Sequence, residues 1–106
     1  MGVKTYNKLI RDNIPYIIEA QGKRSVTRVL SEQDFVGELR SKLLEEVNEY
    51  LSSGETEELA DILEVVYALS DISGLSKDGL EELRLEKHAK NGGFEGRIYL
   101  ESVIVD

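Results

Sequence analysis

Two pairs of acidic residues stand out because each has the spacing that brings two side chains together on a helix. Glu46 and Glu49 form the first pair, and Glu58 and Asp61 form the second. Residues three positions apart are neighbours on a helix surface, so both carboxylates of a pair can contact one ligand. Carboxylate oxygens are the ligands that hard divalent cations such as Mg²⁺ and Mn²⁺ prefer. The four acids therefore predict a divalent-metal site.

Two long helices are expected to position these acids. Apolar residues recur at helical spacing over residues 35–51, between a capping residue, Ser31, and Gly54, and predict a helix of about six turns. Thr56 is expected to cap a second helix that runs to about Gly74. Because the connection at Gly54 is short, the two helices should form an antiparallel hairpin.

The acids lie close to the apolar faces of these helices. At about 100° per residue, Glu46 falls at the edge of the apolar stripe of the first helix, with Glu49 one step further round, whereas Glu45 points away. On the second helix Glu58 and Asp61 are in line with the apolar face. Ionised carboxylates lose several kcal/mol of hydration near a core unless they are paired or bind a metal ion. This placement favours convergence on a metal ion.

The alternative interpretation is that these acids are ordinary surface charges, or salt-bridge partners of Lys42 and Lys87. It predicts no preference of the acids for the apolar side of either helix. The helical positions show that preference, so metal binding is favoured.

The remaining elements are shorter. A helix is predicted over residues 14–21 and another over 76–90, while 25–30 and 97–105 are expected to be strands that pair in a small sheet. The expected fold is an all-α helical bundle with two long antiparallel helices and a minor two-stranded β element. No repeat or linker divides the chain, so residues 1–106 are treated as a single domain.

Composition narrows the range of partners. The net charge of −8 would repel a phosphate backbone and disfavours a nucleic acid polymer as the ligand, although a small phosphorylated ligand neutralised by metal ions is compatible with it. Thiolate chemistry is excluded because cysteine is absent. No apolar run is long enough for a signal peptide or a membrane span, so no membrane association and a cytoplasmic location are expected. A domain of this size buries a modest share of its surface, and a partner chain could complete its core.

The acidic motifs also carry a family resemblance. The segment EEVNE, followed after a short gap by EELADILEVVYAL, resembles the ExxE and ExxD motifs of the all-α nucleoside triphosphate pyrophosphohydrolases. This MazG-like superfamily includes phosphoribosyl-ATP pyrophosphohydrolase and dimeric dUTPases. The flanking segments YNKLIRDNIP and LEKHAKNGGFEGRI are similar to a small subgroup expected to act in house-cleaning of noncanonical nucleotides. The resemblance spans nearly the whole chain.

This resemblance implies Mg²⁺-dependent hydrolysis of a nucleoside triphosphate substrate between its α and β phosphates, releasing the monophosphate and pyrophosphate. It implies an all-α pyrophosphatase-type bundle that works as a homodimer or homotetramer. Glu46, Glu49, Glu58 and Asp61 occupy the four motif positions of the metal ligands. Either Glu46 or Glu49 could instead orient or deprotonate the attacking water.

Basic residues are expected to bind the phosphates that the metal leaves exposed. Lys8 and Arg11 lie in the N-terminal segment that carries the resemblance, and Lys87 and Lys90 lie in the C-terminal one. Each could equally be a solvated surface charge. His88, the one histidine, is expected to be a surface residue near a helix end rather than a catalytic group.

Two other functions remain open. The first is phosphoribosyl-ATP hydrolysis in histidine biosynthesis, which uses the same metal chemistry on a bulkier substrate. The second is a helical module that binds a nucleotide or a protein without catalysis. Metal-dependent turnover separates the second from both enzymatic functions.

Overall fold

A computed structural model describes residues 2–105 and contains four helices. They are α1 (Ile14–Ala20), α2 (Glu32–Ser53), α3 (Thr56–Ile72) and α4 (Lys77–Asn91). The prediction of an all-helical class is confirmed, and α3 contacts both α2 and α4. Within residues 2–105, none of the helices combines the length and the apolar composition needed to cross a bilayer.

The small sheet predicted from residues 25–30 and 97–105 does not form within the described part of the chain. Their β-branched side chains find no surface to pack against, since Val26 and Val29 are 100% and 99% exposed and Ile104 is 90% exposed. A strand is stabilised by cross-strand neighbours and a buried face rather than by its own propensity. The β-branched composition was therefore not enough to specify a sheet.

Serine residues begin two of the long helices. The Ser31 Oγ accepts a hydrogen bond from the Asp34 N–H at 3.2 Å, and the Ser76 Oγ accepts one from the Gly79 N–H at 3.1 Å. Such caps satisfy backbone donors that a helix start leaves unpaired. The cap predicted at Ser31 is confirmed. The cap predicted at Thr56 is wrong, since Thr56 is the first residue of α3 and Glu55 holds the cap position without a side-chain capping bond.

Gly54 makes the hairpin between α2 and α3. Its φ of +67° lies in the left-handed region, and its N–H donates to the Tyr50 carbonyl at 2.7 Å, which closes the last turn of α2. Glycine adopts this conformation without the steric cost that other residues incur. Only Gly54 and Glu55 separate the helices. The end of α2 therefore lies opposite the start of α3.

The core of the chain is small and lies along the contact between α2 and α3. Leu39 of α2 and Val65 of α3 are 4% and 7% exposed. The chain is extended, with a radius of gyration of 19.1 Å, whereas a compact domain of this length has about 13 Å. Its accessible surface is 9848 Å², against about 6,000 Å² for a compact monomer of this mass. Much apolar surface therefore remains uncovered within one chain.

Candidate metal centre

The hairpin brings three of the four predicted acids together. Glu46 lies two turns before the end of α2, and Glu58 and Asp61 lie in the first two turns of α3. One carboxylate oxygen from each of these residues lies within 4.8 Å of those of the other two. A hard cation could be held by such a set of oxygen ligands. We call Glu46, Glu58 and Asp61 the acidic triad.

Two oxygens of the acidic triad are buried without a hydrogen-bond partner. Glu46 is only 7% exposed, and its Oε2 has no donor, while its Oε1 lies 3.4 Å from the Lys42 Nζ. The Oε2 of Glu58 is buried in the same way. Buried polar atoms in folded proteins nearly always have a partner, because losing water without replacement is costly. The orphaned oxygens therefore fit a bound cation.

The electrostatics of the acidic triad also favour a cation. Burial raises the pKa of Glu46, the negative charge of Glu49 raises it further, and the adjacent Lys42 opposes both effects. The pKa of Glu58 is raised by burial and then by the charges of Glu49, Asp61 and Glu46. Ionised carboxylates thus repel one another here. A divalent cation would relieve that repulsion.

Glu49 has a different position from the other three acids. It is exposed and does not belong to the acidic triad, although its charge acts on both Glu46 and Glu58. Glu49 and Glu58 line an open groove of about 670 Å³ along α2, and the other residues that line it are Ser41, Leu44, Glu45, Asn48, Ser52 and Ser53. Glu58 belongs to both groups, so the groove is continuous with the acidic triad. Glu49 therefore lies on the groove beside the acidic triad.

Burial, and not the contact with Lys42, distinguishes Glu46 from its neighbour Glu45. Its Nζ lies 3.5 Å from Glu45 and 3.4 Å from Glu46, so the salt bridge that the alternative interpretation assigned to Lys42 is present. Glu45 nevertheless keeps a side chain that is 41% exposed and does not reach the triad. The position of Glu46 at the edge of the apolar stripe, with Glu45 pointing away from it, agrees with this arrangement.

Arg11 reaches the acidic triad from the N-terminal segment. Its Nη2 donates to the Asp61 Oδ1 at 2.7 Å, and the two side chains are 54% and 41% exposed. The sequence suggested a phosphate ligand for this residue, whereas in the chain alone the guanidinium contacts a carboxylate. Sequence reasoning missed this pair because fifty positions separate its members. No periodicity or local motif links residues so far apart.

The three other basic candidates form no ion pair with the acidic triad in the described part of the chain. The Nζ of Lys8 is 5.8 Å from the centre of the Tyr6 ring, and Lys87 and Lys90 are exposed in the last turns of α4. Within residues 2–105, none of these lysines pairs with a triad carboxylate or lines the groove. Their role as phosphate ligands therefore stays a prediction.

The polar lining of the groove is a feature that sequence reasoning did not identify. Ser41, Glu45, Asn48 and Ser52 recur every three or four residues, which places them on one face of α2. That spacing was a usable signal, but a polar stripe on a helix is commonly a solvated face. Its position beside the acidic triad becomes visible only in three dimensions.

No family model matches the chain, and neither a curated protein nor a solved structure is detectably similar to it.

Proposed function

We propose that the protein is a Mg²⁺-dependent nucleoside triphosphate pyrophosphohydrolase that converts a nucleotide to its monophosphate and pyrophosphate. One observation carries the proposal. Glu46, Glu58 and Asp61 present oxygens within 4.8 Å of one another, and two buried oxygens there have no partner. The motif resemblance to MazG-like enzymes supports the same activity, including action on noncanonical nucleotides.

The acidic triad would hold the metal, with Mn²⁺ as a second cation of suitable chemistry. A divalent ion bound there supplies charge neutralisation to the phosphates and activation to a water molecule. Glu49 is the residue best placed to orient that water or accept its proton, because it lies outside the triad and lines the groove. No side-chain nucleophile is needed for this reaction.

The net charge of the protein explains why a metal ion would be needed to bind the phosphates. With a net charge of −8, the chain repels a triphosphate until metal ions neutralise it. Arg11 already lies at the triad, and its planar guanidinium suits a phosphate as well as a carboxylate. We propose that Lys8, Lys87 and Lys90 contribute further positive charge when the nucleotide binds.

The active form is proposed to be a homodimer or homotetramer. The single chain exposes roughly 4,000 Å² more surface than a compact monomer of its mass would. Large apolar side chains remain exposed on all three long helices, including Leu51 of α2, Leu63 of α3 and Leu85 of α4. A second copy of the chain would bury such surface, since stable dimers commonly bury well over 1,200 Å².

A substrate panel tests the proposal. The protein is incubated with Mg²⁺ and common, deoxy and noncanonical nucleoside triphosphates, together with phosphoribosyl-ATP, and pyrophosphate is measured. Glu58→Ala should abolish release, whereas Glu57→Ala, which changes the exposed neighbour in the same helical turn, should retain it. The proposal fails if no substrate is cleaved, or if Glu58→Ala cleaves as well as Glu57→Ala. Cleavage of phosphoribosyl-ATP alone would assign the protein to histidine biosynthesis.

A further inference from the structure

The Arg11–Asp61 pair is the one side-chain hydrogen bond within residues 2–105 that joins positions more than five apart. It attaches the segment before α1 to the start of α3. Leu9 and Ile10 beside it are half-buried, whereas α1 itself makes no extensive contact with the other helices. Arg11 is therefore a principal polar attachment of the N-terminal segment.

The cation that Arg11 supplies lies where the proposed metal would bind. Asp61 contributes to the acidic triad, and its Oδ1 accepts from the Arg11 Nη2 at 2.7 Å. A metal ion on Asp61 and a guanidinium on the same carboxylate would be two positive charges in close proximity, and they would repel each other. The guanidinium does not reach the orphaned Oε2 atoms of Glu46 and Glu58, which keep no partner. Arg11 thus compensates the triad only in part.

We propose that Arg11 is an exchangeable cation of this site, holding Asp61 in the metal-free protein and moving to a phosphate when metal and nucleotide bind. The second half of this proposal rests on the proposed function. A guanidinium pairs with carboxylates and phosphates through the same planar fork of donors, so the exchange replaces one favourable contact with another. The exposure of both side chains leaves room for the movement.

The first test is a Mn²⁺ titration without nucleotide, in which the concentration of free Mn²⁺ is measured by electron paramagnetic resonance. Arg11→Ala removes the competing cation, and Arg84→Ala is the matched control, since Arg84 pairs with Glu81 at 2.6 Å at similar exposure but outside the triad. Exposed ion pairs are weak, so Arg11→Ala should bind Mn²⁺ about 1.4- to 5-fold more tightly than Arg84→Ala. Equal or weaker binding by Arg11→Ala overturns the exchange.

The second test adds a non-hydrolysable triphosphate analogue at saturating Mn²⁺. Arg11→Ala should now bind the analogue more weakly than Arg84→Ala. The affinity of Arg11→Lys should lie between those of Arg11→Ala and the wild type, because lysine keeps the charge but lacks the planar fork of donors. Tighter binding of Mn²⁺ together with weaker binding of the analogue by Arg11→Ala is the result that the exchange predicts. A merely structural Arg11 would weaken both ligands, and thermal melts of each variant show whether folding is intact.

Each outcome separates this inference from the proposed function. If the wild type binds Mn²⁺ and releases pyrophosphate while Arg11→Ala matches Arg84→Ala, the exchange is wrong and the function stands. If the metal effect of Arg11→Ala appears but no nucleotide is bound or cleaved, Arg11 competes with metal only and the catalytic proposal falls. Absence of Mn²⁺ binding to the wild type would overturn both.

Discussion

Glu46→Gln should stabilise the metal-free protein, although it removes a charge from an ion pair. Glu46 is 7% exposed, its Oε2 has no partner, and burial raises its pKa. A buried ion costs several kcal/mol, whereas a buried neutral amide without a partner costs about 1–3 kcal/mol. Lys42 keeps a second carboxylate partner in Glu45 at 3.5 Å, so losing its contact with Glu46 offsets only about 1 kcal/mol of that gain. The net stabilisation should be about 1 kcal/mol or more.

Mg²⁺ should reverse this order of stability. Mg²⁺ at one hundred times its dissociation constant stabilises the folded state by about 2.7 kcal/mol, and Glu46→Gln should lose most of that stabilisation. Without Mg²⁺ the variant should melt about 4 °C or more above the wild type, and with Mg²⁺ the wild type should melt at the higher temperature.

The assay is thermal unfolding followed by circular dichroism, with and without Mg²⁺, and Glu45→Gln is the control. Glu45 also lies beside Lys42, at 3.5 Å, but its side chain is 41% exposed and outside the triad. Glu45→Gln should therefore leave the melting temperature nearly unchanged and should keep the response to Mg²⁺. The reasoning is refuted if Glu46→Gln melts below the wild type without metal, or if Mg²⁺ stabilises both proteins equally.

Three further predictions concern catalysis, pH and the hairpin. Glu49→Gln should lower kcat about a hundredfold or more, given the usual size of general-base effects, and should weaken Mn²⁺ binding far less, through loss of one nearby negative charge; a loss of Mn²⁺ affinity as large as the loss of kcat would make Glu49 a metal ligand. The pKa values of Glu46 and Glu58 are raised in the folded state, so above pH 4.5 the folded state binds more protons than the unfolded state. The contribution of these two residues to metal-free stability should therefore fall as the pH rises through their raised pKa values. Chemical denaturation across pH should show this slope diminished in the double Gln variant, and an unchanged slope would contradict it. Gly54→Ala should destabilise the protein by about 1–2 kcal/mol in urea, because its φ is +67°, and an unchanged midpoint would contradict the strain.

The helices could be predicted from the sequence because the interactions that define them are local. Ser31, the apolar spacing of α2 and Gly54 all act within a few residues, and the structure places the helix between them as expected. The short connection at Gly54 then determined which ends of α2 and α3 meet. For this reason the convergence of Glu46 with Glu58 and Asp61 could also be anticipated.

The features that could not be predicted depend on distant parts of the chain. Arg11 and Asp61 are fifty positions apart, and their contact requires the N-terminal segment to lie against the start of α3. The strands expected around Val26 and Ile104 needed a partner surface, which the described chain does not offer. Glu49 shares the i, i+3 spacing of its pair, yet its side chain faces the groove rather than the triad. Spacing indicates proximity on a helix but not which oxygens finally meet.

The most direct measurement is phosphorus NMR of the products formed from a cleaved triphosphate with Mg²⁺ in ¹⁸O-labelled water. Metal-dependent hydrolysis between the α and β phosphates predicts stoichiometric monophosphate and pyrophosphate, with the label introduced once per turnover, no turnover when Mg²⁺ is chelated, and none in Glu58→Gln. Release of inorganic phosphate and a diphosphate would contradict the proposed position of cleavage. Undiminished turnover with Mg²⁺ chelated, or in Glu58→Gln, would contradict a reaction that depends on a metal held by the acidic triad.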